Sequence, residues 1–126
     1  MDLKDLKYLS KSKRMTMGNC VLGMIFADGK QTDSEWNVAA NLLTTHLDIT
    51  GEELKANILK GPELIRRLQT LDGNELVALG LLMGVMSLAD GHAHKKELDR
   101  IRGTLMAGRL RSDQIEEIIS WVKSKG

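Results

Sequence analysis

Apolar residues recur along this chain at the three- and four-residue spacing of α-helices, and no segment shows the strict alternation of a β-strand. Two segments, residues 15–26 and 76–89, are almost wholly apolar, and each is followed by a more amphipathic one. The pattern therefore predicts an all-α fold, a compact bundle of about seven helices. The other helices are predicted at residues 33–47, 94–106 and 112–123, with shorter ones opening near residues 50 and 62 and a lead helix near the start.

Polar residues mark where several of these helices begin. Thr50 with Glu53, and Asp72 with Glu75, have the spacing of a capping box, in which each side chain accepts a hydrogen bond from the backbone N–H of the other residue. The first pair predicts a helix through about residue 59, and a Gly-Pro pair then opens the next one.

The second apolar segment, residues 76–89, is too short to span a bilayer and is predicted to be a buried central helix. Gly80 and Gly84 lie one turn apart on it. Because glycine lowers helix stability by about 1 kcal/mol relative to alanine, we expect a neighbouring helix to approach closely there.

One short motif occurs twice. Residues 27–35 read ADGKQTDSE and residues 89–97 read ADGHAHKKE, a shift of 62 positions that also pairs Gly18 with Gly80. We therefore predict one domain, residues 1–126, built from two helical hairpins related by a pseudo-twofold that bury their apolar first helices together. Within it, residues 1–14 are a basic lead helix, 15–60 the first repeat, and 62–124 the second repeat and the C-terminal helices.

Composition narrows the possible functions. The chain has 126 residues, of which 42% are hydrophobic and 28% charged, the balance of an ordinary globular domain. Aromatic residues make up 3%, so the core must consist of Leu, Ile, Val, Met and Ala. A formal charge of +1 and so few aromatic side chains argue against a nucleic-acid-binding protein. We expect no membrane insertion, and lysines of the lead helix that face solvent.

Cys20 is the only cysteine, so no intrachain disulfide can form and a reducing compartment is expected. Its apolar neighbours predict a buried, unreactive thiol. Basic residues followed by the first apolar segment resemble a secretion signal, but a similar apolar segment also precedes the second Ala-Asp-Gly. It therefore belongs to the fold, and a cytoplasmic location is predicted.

The repeated corner has a purely structural interpretation. Gly29 and Gly91 can adopt the left-handed conformation that closes a helix. Asp28 and Asp90 can accept hydrogen bonds from N–H groups just ahead in the turn. On this interpretation the motif is a corner between two helices and binds nothing.

Two observations favour a ligand instead. An aspartate at a helix C-terminus faces the negative end of the helix dipole, an unfavourable effect of roughly 0.3–1 kcal/mol when exposed. Glu35 has Thr32 as a capping-box partner, but Glu97 is predicted to lack its usual partner, because His94 occupies the equivalent position. The Asp and Glu residues are thus present in both copies of the motif, whereas the threonine of the capping box is present in only one.

The same residue types can bind a metal ion. Calcium takes about six to eight oxygen ligands, so neither loop suffices alone, whereas two loops brought together could hold one ion. Histidines beside the second corner could instead hold zinc or nickel, although they lack a third firm ligand. The candidate ligands are Asp28, Asp33 and Glu35 in the first loop and Asp90, His92, His94 and Glu97 in the second.

The doubled Ala-Asp-Gly, followed by Glu at the same offset, resembles the tellurite-resistance TerB-like domain family over about residues 15–106. The related N-terminal segment of membrane-anchored J-domain co-chaperones has a similar ADGH corner. The resemblance implies an all-helical domain of the size predicted above and a divalent-cation site. The site residues it implies are Asp28, Glu35, Asp90 and Glu97, while Asp33, His92 and His94 remain secondary candidates.

The chain departs from this family in three respects. Gln31 and Ala93 stand where the family usually has an aliphatic residue. Lys95 and Lys96 place positive charge beside the second corner, which weakens cation binding there. No His-Pro-Asp tripeptide is present, which excludes J-domain activity within this chain.

Two hypotheses about function follow. The first is a TerB-like, stress-associated module that binds a divalent cation weakly, calcium or magnesium before zinc, and relays its state to an unidentified protein partner. The second is a purely structural helical interaction domain that binds no metal. An enzyme is not expected, because the chain has no Ser/His/Asp spacing, no Gly-rich phosphate loop and no histidine beside Cys20.

Overall fold

A computed structural model describes residues 1–27 and 31–126, and every regular element within them is a helix. The predicted all-α fold class is confirmed. In these ranges a 3-10 helix, Leu3–Tyr8, is followed by seven α-helices. They are α1 Lys11–Ile25, α2 Asp33–His46, α3 Gly51–Lys55, α4 Gly61–Leu68, α5 Gly73–Ser87, α6 Lys95–Ala107 and α7 Ser112–Lys125.

Helix α5 is the central helix, as its apolar sequence predicts, and it packs against α1, α6 and α7. A Cβ atom added at Gly80 would lie 2.8 Å from Ile118 Cδ1, and one at Gly84 would lie 2.7 Å from Val122 Cγ2. The predicted close approach is therefore confirmed, and the approaching helix is α7. No helix in the described ranges is long and apolar enough to cross a membrane.

The core is aliphatic, as the scarcity of aromatic residues predicts. Leucine, isoleucine, valine and methionine side chains from α1, α2, α5, α6 and α7 form most of it. Unbranched methionine side chains fill irregular gaps well, which suits a core without large rings. The buried methionines are Met15, Met17, Met24, Met83 and Met86.

Helix α1 begins at Lys11, earlier than predicted. The Ser10 Oγ atom accepts a hydrogen bond from the Lys13 N–H at 3.3 Å and so caps the helix. The lead helix is correspondingly short, a 3-10 helix that anchors to the core through Leu6. Lys13 reaches the start of α5, with its Nζ atom 2.9 Å from Glu75 Oε2. The predicted boundary between residues 14 and 15 thus falls inside α1.

Helix α3 ends at Lys55, earlier than the predicted end near residue 59. The predicted capping box at its start does form. Beyond the helix the chain is held by Asn19, a buried residue of α1. Its Nδ2 atom donates to the Asn57 carbonyl oxygen at 3.2 Å, and its Oδ1 atom accepts from the Leu59 N–H at 2.9 Å. These bonds fix a non-helical segment where the local sequence predicts helix.

Candidate cation site at the paired corners

The first corner joins α1 to α2. Asp28 and Gly29, a predicted ligand and a predicted turn residue, lie outside the described residues. On the α2 side the predicted capping box forms, because the Glu35 N–H donates to Thr32 Oγ1 and the Thr32 N–H donates to Glu35 Oε1, both at 3.1 Å. Glu35 is thereby held at the start of α2 with 1% of its surface exposed.

The second corner joins α5 to α6. Gly91 has a φ of +100°, the left-handed region predicted for the glycine of this turn. The prediction that Asp90 accepts a hydrogen bond from an N–H just ahead in the turn is wrong. Within the described part of the chain its hydrogen bond comes from the Thr32 hydroxyl of the first corner.

The prediction that Glu97 lacks a capping partner is also wrong. The backbone N–H of His94 donates to Glu97 Oε1 at 3.0 Å, just as the Thr32 N–H donates to Glu35. Every residue except proline offers a backbone N–H, so the exchange of threonine for histidine leaves this bond in place. Glu97 is accordingly buried like Glu35, with 2% of its surface exposed.

The two corners contact each other through Thr32. Its Oγ1 atom lies 3.2 Å from Asp90 Oδ1 and 3.2 Å from Glu35 Oε1. A hydroxyl has a single proton to donate, so the two carboxylates share one donor. Acidic groups from corners that are far apart in sequence are thus held around one oxygen atom.

Glu35 has a second oxygen atom that this network does not satisfy. Its Oε2 atom is buried and has no hydrogen-bond partner among the described residues. A buried polar atom left without a partner costs roughly 1–3 kcal/mol, and more when the group is charged. Among the described residues, the junction of the corners therefore holds more acceptors than donors, and such a surplus of buried acceptors favours a bound cation.

The secondary candidates Asp33, His92 and His94 do not join Glu35 and Asp90 in a metal-binding group. Asp33 is exposed on the first turn of α2. The rings of His92 and His94 contact each other edge to face, with centroids 4.5 Å apart. Across residues 1–27 and 31–126, no group of three or more His, Cys, Asp and Glu side chains is close enough together to hold a metal ion. An ion at the described corners would need backbone carbonyl or water ligands as well.

An exposed aromatic pair lies beside the first corner, where the sequence predicts only an apolar helix face. The rings of Phe26 and Trp36 meet edge to face, with centroids 6.0 Å apart. They border an apolar groove of about 340 Å³ between α1, α2 and α3. Trp36 has the helical spacing of a core residue, but the packing of its neighbours leaves 40% of it exposed.

In comparisons with known proteins, no family model, no curated protein and no solved structure matches the chain. The resemblance to the TerB-like family therefore stays a prediction carried by the repeated motif.

Proposed function

We propose that this protein is a small helical module that binds a divalent cation weakly where its two corners meet and passes the bound state to a protein partner. The observation that carries the proposal is the unpartnered Oε2 atom of Glu35, buried next to a hydroxyl that two carboxylates already share. Oxygen donors suit calcium or magnesium better than zinc, which prefers nitrogen and sulfur. A role in stress, and a cytoplasmic location, rest on the TerB-like resemblance and on the single cysteine.

The described ligands of such an ion are few. Glu35 and Asp90 would supply carboxylate oxygens and Thr32 a hydroxyl oxygen, and backbone carbonyls and water would complete the shell of about six to eight that calcium takes. Asp28 and Glu97 remain the further predicted ligands. Weak binding follows from this small number of fixed charges, with a dissociation constant roughly in the range of 10⁻⁴–10⁻³ M.

A cation titration followed by NMR of the backbone amides tests the proposal. With calcium or magnesium at millimolar concentration, we expect saturable shifts at both corners, centred on Thr32, Glu35 and Gly91. Glu35→Gln keeps an oxygen for the capping bond but removes the charge, and it should weaken binding at least about tenfold, a loss of about 1.4 kcal/mol. Asp90→Asn should have a similar effect.

Asp113→Asn is the matched control. Asp113 lies on the first turn of α7 and pairs with Arg111. The opposite end of α7 is the end near the second corner, because Gly126 lies beside His92. The control should therefore leave cation binding unchanged. The absence of shifts from both corners, or an equal loss of binding in the control, would contradict the proposal.

A structural interaction domain without metal is the second candidate, and the capping bonds favour it. Glu35 and Glu97 each accept a backbone N–H at the start of a helix, a role that needs no ligand. This candidate predicts that Glu35→Gln lowers the melting temperature and changes no response to cations. Neither candidate is an enzyme.

A further inference from the structure

A surface groove between α4 and α6 offers a site for a partner. It is an open depression of about 530 Å³. Its described lining shares no residue with that of the groove bordered by Phe26 and Trp36, which α1, α2 and α3 form. The residues that matter here are Leu64 and Ile65 of α4 and Lys96, Arg100, Gly103 and Ala107 of α6.

The α6 side of the groove is a single stripe. Successive members of the set Lys96, Arg100, Gly103 and Ala107 are three or four residues apart, so all lie on one face of the helix. The N-terminal half of the stripe consists of the basic residues Lys96 and Arg100, and the C-terminal half consists of the small residues Gly103 and Ala107. A helix that is acidic at one end and apolar at the other would complement it in both charge and shape.

The two cations of the stripe are available to a partner. Among the described residues neither Lys96 nor Arg100 forms an ion pair, whereas Arg102 on the neighbouring face pairs with Asp99 and Glu116. Asp99 also borders the groove, but its carboxylate lies 3.6 Å from Arg102 Nη1. The described residues that line the groove therefore carry a net positive charge.

Gly103 gives a second reason to expect a close partner. A Cβ atom added there would meet nothing within 4 Å, so the packing of the fold does not require glycine at this position. Glycine inside a helix nevertheless costs about 1 kcal/mol relative to alanine. Close approach of an external helix would account for it. Across the groove, Ile65 has 46% of its surface exposed, and such a helix would cover it.

We propose that the α4–α6 groove binds an amphipathic helix of a partner protein. Acidic side chains one turn apart on that helix face Lys96 and Arg100, and aliphatic side chains pack over Gly103 and against Ile65. This inference rests on the proposal that the protein contacts a protein partner, and it does not depend on cation binding.

The probe for this site is a synthetic helical peptide with two glutamates one turn apart, followed by a stripe of leucine and alanine. Titration into isotope-labelled protein should shift the amides of Leu64, Ile65, Gly103 and Ala107. The same peptide with lysines in place of the glutamates should bind at least about tenfold more weakly, because it meets like charge on α6.

Two substitutions and their controls define the site. Gly103→Leu extends a side chain into the groove from a position where an added Cβ atom meets nothing, and leucine is a better helix former. It should reduce peptide affinity at least about tenfold while the melting temperature stays level or rises. Lys96→Glu should weaken binding about tenfold, whereas Lys95→Glu, at a neighbour that does not line the groove, should leave it unchanged.

Several results would overturn the proposal. They are the absence of shifts in α4 and α6 at millimolar peptide, shifts centred on Phe26 and Trp36 instead, and equal weakening by Lys95→Glu. The wild type is also titrated with calcium alone. A normal corner response with no peptide binding rejects the groove only, and the reverse result rejects the cation site only.

Discussion

The thiol of Cys20 shows how burial sets the chemistry of a single residue. Cys20 lies on α1 with 4% of its surface exposed, which confirms the predicted buried position. Burial raises the pKa of the thiol from 9.0 to about 12, and the positive charge of Arg100 opposes this rise in part. Because the thiolate is the reactive form, we expect the side chain to behave as a small apolar core residue.

We expect Cys20 to resist thiol reagents in the folded protein. A pKa raised from 9.0 to about 12 lowers the thiolate fraction roughly a thousandfold at neutral pH. Labelling with a chromogenic disulfide should therefore be slow in native buffer and rapid in denaturant. Labelling of the native protein at the rate of a free thiol, with an unchanged circular dichroism spectrum, would show that the residue is accessible.

At the corners, local spacing predicted the position of Glu35 but not what surrounds it. A capping box closes within one helical turn, so four consecutive residues define it. The bond between Thr32 and Asp90 spans 58 positions, and no local pattern encodes such a contact. The acidic residues could be chosen as candidates from the sequence, whereas the hydroxyl that joins them could not.

Among the helices, the packing of α7 on α5 depends on glycine. A Cβ atom at Gly84 would lie 2.7 Å from Val122 Cγ2 and 3.1 Å from Trp121 Cζ3. Valine is β-branched and has one strongly preferred rotamer in a helix, so moving this methyl group away would require an unfavourable rotamer. Gly103 on α6 is the opposite case, because an added Cβ atom meets no neighbour there.

Alanine at these two glycines should have opposite effects. Gly84→Ala should lower the free energy of unfolding by about 1–3 kcal/mol through overpacking, despite its better helix propensity. Gly103→Ala should raise it by up to about 1 kcal/mol. Denaturant titration of both variants measures the difference, and shifts of the same sign and size would show that crowding at α7 is unimportant.

The start of α5 is set by a local cap that the sequence predicts, whereas the end of α3 is set by a distant side chain. The predicted capping pair forms, because the Glu75 N–H donates to Asp72 Oδ1 at 2.8 Å, and α5 begins at Gly73, three residues before the apolar segment. Helix α3 stops early because Asn19 takes the hydrogen bonds of the following segment. Tertiary bonding there overrides local helix propensity, and only the assembled fold reveals it.

In the whole molecule, ion pairs join helices at the surface. Lys11 with Glu53 connects α1 to α3, and Arg102 with Glu116 connects α6 to α7. The hydrogen bonds from Lys11 and Arg102 are the main reason that the pKa values of Glu53 and Glu116 are lowered. A carboxyl whose pKa is lower in the folded state stabilises the fold above its unfolded pKa, and this contribution is lost as the pH falls through the folded value.

The melting temperature should therefore fall as the pH drops below 4.5, the ordinary pKa of glutamate. High salt screens exposed charges and should make this dependence shallower. Thermal unfolding followed by circular dichroism across an acid series measures both effects. Glu116→Gln removes one of these carboxyls and should show a smaller loss on acidification than the wild type. A wild-type melting temperature that stays level or rises in acid would contradict the expectation.

The bond between Thr32 and Asp90 also bears on the order in which the molecule assembles. Contacts between distant segments require closure of a long loop and form more slowly than local helices. Neither half of the chain alone carries both acidic groups, so a fragment or a half-folded intermediate has no junction to offer. A ligand bound at this junction would stabilise only the native state. Its binding would therefore distinguish native molecules from folding intermediates.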